Sequence, residues 1–285
     1  MSANCEKVST KSFTVNCLDR HGIHLKKKFG QNFLIDSNIV DRIIDLSGIT
    51  LDDKVIEVGP GIGSLTCALL NTGADVTSIE ADNTLVPALL ENVQPCSCHF
   101  SLVLKDALKV NSDDLLYSPS KFIANLPYSV AARLIIVFFQ KFESLDSACV
   151  MVQKEVADRI CATPENKDYG AYTVKIQSIA DVEGRFDVSR NSFLPPPRVD
   201  SSVIKLAKKD NLSAEIDDIF KTANALFCNR RKTVYNCALA FFGKESATNI
   251  KNWFAECGID PGLRAEVLSI EDFQILASKL NIFMR

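Results

Sequence analysis

Asn125-Leu126-Pro127-Tyr128, entered through the apolar run Lys121-Phe122-Ile123-Ala124, places an amide, a proline and an aromatic ring within four residues. That combination suits a flat ring carrying an amine. Proline holds φ at about −65° and lacks an N–H, so the turn is stiff and neighbouring carbonyls are free to point outward. The Asn125 side-chain oxygen and a turn carbonyl can accept from an exocyclic amine, while Tyr128 stacks on the ring. Taken alone, the stretch fits an ordinary strand and proline turn equally well.

What precedes it favours a ligand. The segment Glu57-Val58-Gly59-Pro60-Gly61-Ile62-Gly63-Ser64-Leu65-Thr66 follows an apolar strand and opens a helix. Gly59 and Gly61 let the backbone turn sharply and approach a ligand with no Cβ in the way. Glu80 ends the next strand, 21 residues after Gly59, where an acidic side chain accepts from ribose hydroxyls. Asp106 ends the third strand and is placed to accept from an adenine amine. These residues predict a pocket for an adenosine-bearing molecule with a second amine recognised beside it. An NAD dehydrogenase has use for the glycine loop and Glu80 but none for Asn-Leu-Pro-Tyr, so S-adenosylmethionine as methyl donor is the more economical reading.

Elements that bring these residues together are legible in the pattern. Strand-like runs recur at 54–58, 75–79, 101–104, 121–124 and 148–153, with helical stretches such as 64–71 and 85–92 between them. Strands alternating with helices predict a parallel, doubly wound α/β sheet, whose strands' carboxyl ends line the ligand crevice. Two further strands, at 172–178 and 201–206, are expected to extend it in antiparallel fashion. After Lys208-Lys209-Asp210 the pattern turns helical, at 215–227, 233–242, 250–257 and 270–280. The expected division is a flexible arm over 1–25, the α/β domain over 26–209 and a smaller helical domain over 210–285.

Composition narrows the class. With 285 residues, 47% of them hydrophobic, the chain can bury a large core. Its longest apolar run, Val130–Phe139, includes Arg133 and falls short of the roughly 18 residues that span a bilayer. The N-terminal stretch has no apolar signal core. Ten cysteines in a chain this rich in core residues read as reduced thiols of a cytoplasmic protein, and the Cys96, Cys98, His99 spacing matches no common zinc site, so no metal is expected. The net charge of −3 is uneven: residues 1–30 balance to +4, 31–150 to −8 and 201–264 to +3. Lys26-Lys27-Lys28 and Arg230-Arg231-Lys232 are the densest basic points. Two such clusters flanking an acidic nucleotide-binding domain favour a polyanionic partner.

The ordered motifs resemble one family along most of the chain. Lys27-Lys28-Phe29-Gly30-Gln31-Asn32-Phe33-Leu34, the glycine loop, Glu80-Ala81-Asp82, Asp106 and Asn125–Tyr128 are followed by Phe193-Leu194-Pro195-Pro196-Pro197-Arg198-Val199-Asp200-Ser201, then Leu226–Thr233 and Leu263–Ser269. From about Lys26 to Ala277 this is similar to the small-subunit ribosomal RNA adenine dimethyltransferases, the KsgA-type enzymes. Ala131 departs from the pattern, standing where many members carry Ser or Thr.

The resemblance implies a Rossmann-like class I S-adenosylmethionine-dependent methyltransferase domain with a helical C-terminal domain that binds rRNA. It implies that Gln31, Asn32 and Leu34 close over the cofactor, Gly59 and Gly61 line its methionine side, Glu80 meets its ribose and Asp106 its adenine. Asn125 and the Leu126 or Pro127 carbonyl would hold the target amine, between the rings of Tyr128 and Phe193. Lys26, Lys27, Lys28, Arg230, Arg231 and Lys232 would contact RNA. The implied partners are small-subunit rRNA and the immature small ribosomal subunit, met by a cytoplasmic monomer. Two relatives on the same fold remain alternatives: a large-subunit methyltransferase of the macrolide-resistance type, and a non-catalytic RNA-binding assembly or transcription factor.

Overall fold

The computed structural model describes residues 8–24, 31–210 and 215–283. In chain order the elements are α1 (Lys11–Arg20), β1 (Phe33–Leu34), α2 (Ser37–Ser47), β2 (Lys54–Val58), α3 (Ser64–Leu70), β3 (Asp75–Glu80), α4 (Val86–Val93), β4 (Phe100–Leu104) and β5 (Lys121–Asn125). Then follow α5 (Ala131–Lys141), β6 (Ser147–Gln153), α6 (Lys154–Ile160), α7 (Ala171–Ile179), β7 (Ala180–Val188), β8 (Phe193–Leu194) and β9 (Ser201–Lys208). The chain ends with α8 (Ile216–Leu226), α9 (Val234–Phe242), α10 (Ala247–Cys257) and α11 (Ile270–Phe283). No helix among the described residues is long and apolar enough to cross a membrane.

Among the described residues the main sheet has seven strands in the order β4-β3-β2-β5-β6-β9-β7. β2 pairs in parallel with both β3 and β5, β3 with β4, and β5 with β6. The chain steps outward from β2 to β4 and then returns to the other side of β2, so the strand order reverses between β2 and β5. Such a switch point leaves a crevice outside the strands' carboxyl ends. β9 runs antiparallel to β6, with Ser201 opposite Gln153. The central strands are apolar on both faces: Val55, Ile56, Phe122, Ile123, Ala124, Val150 and Met151 are buried, as strands covered on both sides must be.

Two compact units emerge. One comprises residues 1–157 and 182–208, the other 158–181 and 209–285. A single boundary near 209 therefore does not describe the chain, because residues 158–181 cluster with the C-terminal helices. The strand expected at 172–178 is helix α7. Val174, Ile176 and Ser178 alternate in a way that mimics a strand, but the polar side chains decide the geometry. Thr173 Oγ1 donates to the Arg159 carbonyl at 2.6 Å, and Gln177 Nε2 donates to the Ile160 and Ala162 carbonyls at 2.8 and 2.9 Å. On a helix Thr173 and Gln177 stand one turn apart on the same face, which lets both reach the carbonyls at 159–162. Val174 then joins a core with Tyr169, Ile219, Leu226, Trp253, Phe254 and Phe273.

The arm expected to be flexible over 1–25 contains α1. Thr10 caps it by accepting from the Phe13 N–H, and Thr14, Cys17 and Leu18, at i, i+3 and i+4, are buried. Cys17 and Leu18 pack with Phe33, Ile62, Leu85 and Ala88. Arg20 and His21 both engage the Glu91 carboxylate of α4, at 2.9 and 2.8 Å. α1 is thus packed against the glycine-loop end of the sheet. α2, capped by Asp36 and ended by Gly48 at φ +62°, presents Ile39, Val40 and Ile43 to the core that holds Leu34, Val55 and Leu65.

Candidate functional site

A cavity of about 400 Å³ opens at the carboxyl ends of the four consecutive strands β2, β3, β4 and β5. Each strand end contributes in turn: Gly59 and Gly61 after β2, Glu80 closing β3, Asp106 after β4, and Asn125 to Tyr128 after β5. Gln31, Asn32 and Leu34 line it from the N-terminal side. The structure therefore brings together every expected cofactor-binding residue and four of the five expected around the target base.

The glycines are there for steric reasons. Gly59 has φ +72° and Gly61 φ +62°, a region L-residues with a Cβ seldom enter. A Cβ at Gly59 would lie 3.6 Å from the Pro127 ring, and one at Gly61 would lie 3.0 Å from Phe33 Cε1. The loop is hung on the sheet by the Gly59 N–H, which donates to the Ile79 carbonyl at 2.9 Å. Ser64, which opens α3 beneath the loop and contributes to the cavity wall, has a buried hydroxyl with no hydrogen-bond partner among the described residues. A loop held in the left-handed region at both glycines, with no Cβ between its backbone and the cavity, fits a polar ligand approaching closely.

Glu57 carries the most perturbed carboxyl of the site. It is 1% exposed, and its Oε2 accepts from Thr66 Oγ1 at 2.8 Å and Ser78 Oγ at 2.6 Å. Burial pushes it up to about 7, against the lowering effect of the two hydroxyls. Glu80 is raised by burial too, opposed by backbone N–H donors. Its Oε1 accepts from the N–H groups of Ala81 and Asp82, both at 2.8 Å, and the Gly61 N–H also acts on the carboxylate, which fixes its plane beside the glycine loop. Asp106 is more open: it caps the turn after β4 by accepting from the Leu108 N–H at 3.0 Å.

The residues near the target position are tied to the rest of the cavity. Asn125 Nδ2 donates to the Asn32 carbonyl over a long 3.4 Å. A carbonyl only accepts, so the amide's NH₂ end must face it and Oδ1 remains the acceptor for another group. Gln31 Nε2 donates to Asp82 Oδ2 at 2.8 Å, so the Gln31–Leu34 segment is joined to both β3 and β5. The Tyr128 hydroxyl bonds to Ser201 Oγ at 2.5 Å, and burial raises the phenol above its ordinary value.

Phe193, expected to stack on the target ring, does not line the cavity. It is 2% exposed because β1 and β8 pair antiparallel with Leu34 opposite Phe193, which turns its ring into the core. Arg230 is engaged within its own unit: its guanidinium donates to the Lys167 carbonyl, to that of Tyr169 at 3.3 Å, and lies 3.8 Å from Glu266. Arg230, Arg231 and Lys232 are all exposed. Lys26, Lys27 and Lys28 lie outside the described residues. The reading of residues alone missed Glu57, Ser64, Lys105 and Ser201. Glu57 was hidden inside a strand motif and Ser201 inside a serine pair. Lys105, bonded to Asp114 at 2.7 Å, followed a strand with no distinctive neighbour.

Among the described residues no group of three His, Cys, Asp or Glu side chains is arranged to hold a metal ion. The arrangement suits a nucleoside-bearing ligand at the glycine loop, with an acceptor amide and an aromatic ring alongside.

Comparison with known proteins converges on one family. The model of ribosomal RNA adenine dimethylase matches residues 22–281. The ribosomal RNA small subunit methyltransferase A of Lactococcus lactis is 40% identical, with 97% of each chain covered. Its namesake in Clostridioides difficile is 37% identical over 97% of this chain and 98% of that one. Among solved structures, a dimethyladenosine transferase from Plasmodium falciparum superposes with a TM-score of 0.73 at 25% identity, over 87% of this chain and 96% of the other. The 23S rRNA methyltransferase ErmE superposes at 0.65 with 23% identity, over 88% and 100%, a likeness of fold.

Proposed function

The chain belongs to the ribosomal RNA adenine dimethylase family, and on that premise we propose that it dimethylates two adjacent adenosines of small-subunit rRNA. The acceptors are the exocyclic amines of the 3′-terminal hairpin loop, and the donor is S-adenosylmethionine. Gly59 and Gly61 give the donor's methionine end room, the Glu80 carboxylate accepts from its ribose, Asp106 accepts from its adenine, and Gln31, Asn32 and Leu34 cover it. When bound, the donor supplies a methyl group on a sulfonium, ready for direct in-line displacement.

The chain's own residues perform the acceptor side. An adenine amine is a poor nucleophile because its lone pair is delocalised into the ring. The Pro127 carbonyl already accepts from the Val130 and Ala131 N–H groups, both at 3.1 Å, so Asn125 Oδ1 and the Leu126 carbonyl accept the two amine protons, which favours a tetrahedral nitrogen with its lone pair exposed. The same dipoles and the Tyr128 ring face stabilise the positive charge that develops on nitrogen. The pocket must admit a monomethyl adenine as well, since the second transfer follows donor exchange. A base in a loop leaves its stack at least cost, which suits a hairpin end.

The observation that carries this reading is the Asn125–Asn32 bond, which sets the amide's orientation and joins the acceptor to the segment covering the donor. The large-subunit alternative rests on shared fold with ErmE at 23% identity, whereas relatives at 37–40% over nearly the full length bear a small-subunit name. The partner we propose is the immature small subunit, met in the cytoplasm by a monomer with Arg231 and Lys232 on its phosphates. Labelled methyl from S-adenosylmethionine is expected in unmethylated small subunits and absent from large ones. Labelling of large subunits alone contradicts the proposal.

A further inference from the structure

Ser201 opens β9 and is fully buried, yet its hydroxyl reaches across to the Tyr128 phenol at 2.5 Å. Its neighbours are locked. The Asp200 carbonyl accepts from the Lys154 N–H at 3.0 Å, and Asp200 Oδ1 accepts from the Arg190 N–H at 3.0 Å. Ser202 Oγ donates to Asp187 Oδ1 at 2.6 Å and accepts from the Arg185 guanidinium at 3.2 Å. β9 is further registered on β6 along its whole length. The hydroxyl of Ser201 is thus a fixed point in a hydrogen-bonded frame.

Tyr128 has no such frame of its own. It sits in a turn one residue past Pro127, half-buried, with its neighbour Ser129 exposed. A phenol in that setting turns about two side-chain bonds unless its far end is held. Asn125, by contrast, is fixed from the opposite side of the cavity through Asn32. Placing an adenine so that its ring lies on Tyr128 and its amine on Asn125 requires a constant separation between these two groups, and β9 supplies one end of it.

We infer that Ser201 is a positioning residue for methyl transfer, holding the Tyr128 ring where the target base stacks. This rests on the function proposed above and adds a residue to it. The hydroxyl touches neither substrate nor donor; it acts through Tyr128. Losing the tether frees one rotor-rich side chain, and the corresponding loss is roughly 3- to 10-fold in transfer rate.

The test is a double-mutant cycle in single-turnover methylation at saturating RNA, with donor affinity and melting temperature measured for each variant. Ser201→Ala and Tyr128→Phe each remove one partner of the same bond. Both are expected to slow transfer by about 3- to 10-fold, with donor affinity unchanged, and the double variant is expected to lose no more than either single one. A role in packing alone would instead leave Tyr128→Phe at the wild-type rate, or make the two losses multiply, and either result overturns the inference. Tyr128→Phe alters no residue of the buried strand, so it remains informative even if Ser201→Ala folds poorly. An inactive wild-type protein contradicts the proposed function itself, whereas an active one whose variants show no coupling contradicts only the role of Ser201.

Discussion

The cavity at the strand ends and the basic loop after α8 were both expected to meet the reaction's partners, and they use their polar atoms in opposite ways. In the cavity, Glu80, Asn125 and Tyr128 each make a bond to the chain that fixes the side chain, and the Asn125 bond, made through Nδ2, leaves Oδ1 to accept from another group. In the loop, Arg230, Arg231 and Lys232 are all exposed, and Arg230 directs its guanidinium to carbonyls and a carboxylate of its own unit. Chemistry on one nitrogen needs fixed directions, which only bonded frames provide. Holding a phosphodiester backbone needs charge in roughly the right place, which exposed basic side chains supply.

The sharpest way to break this contrast is to remove a fixed acceptor. Asn125→Ala is expected to lower turnover by about 10²- to 10³-fold, the loss typical of a charge-stabilising group, with donor affinity largely kept. Single-turnover rates and isothermal titration measure the two separately, and near-normal turnover would end the role assigned to Asn125.

Glu57 tests the frame beneath the loop. Its folded value of about 7 lies above the ordinary 4.5, so the folded protein holds this proton more tightly than the unfolded chain. The resulting stability is present in full below about pH 4.5 and is lost as pH rises through about 7. Relative to Glu57→Gln, whose amide oxygen still accepts from Thr66 and Ser78, the wild type is expected to lose about 3 kcal/mol across that window. Denaturant unfolding of both proteins from pH 4 to 8 checks it; parallel curves contradict a buried, protonatable Glu57.

Gly61→Ala probes the cradle. The new Cβ meets Phe33 at 3.0 Å in a left-handed backbone, so a loss of roughly 1–3 kcal/mol in stability is expected, together with weaker donor binding. Thermal melting with and without S-adenosylmethionine reads both, and an unchanged donor-induced shift argues that the ligand does not approach the loop.

The smallest effects belong to the basic loop and divide its members. Arg231→Ala with Lys232→Ala should weaken RNA binding and reduce the magnitude of its salt slope by about one for each phosphate no longer neutralised, with melting unchanged. Arg230→Ala should chiefly lower stability. If all three shift the salt slope equally, the distinction between them fails.

Much of this was legible in the sequence because the signals were local. The glycine loop, Glu80, Asp106 and Asn125 each close a strand, and a strand's end is visible in its own few residues. What escaped depends on distant partners. The alternation of Val174, Ile176 and Ser178 spoke for a strand until Thr173 and Gln177 met carbonyls at 159–162. α1 is polar enough to pass for a loose arm, and only packing against Ile62 and Glu91 reveals it. Phe193 was expected on the target ring from the resemblance, while a two-residue pairing with β1, far away in the chain, buries it. Nothing local marks Arg230 as structural or Ser201 as a tether.

The central claim is that the cavity methylates paired adenosines of the small subunit. Its most direct test is mass spectrometry of nucleosides from unmethylated small ribosomal subunits incubated with the protein and S-adenosylmethionine. Dimethyladenosine appearing there, and absent from large subunits treated alike, is the predicted result. No methylated adenosine in either subunit, from protein that binds the donor, would contradict the account.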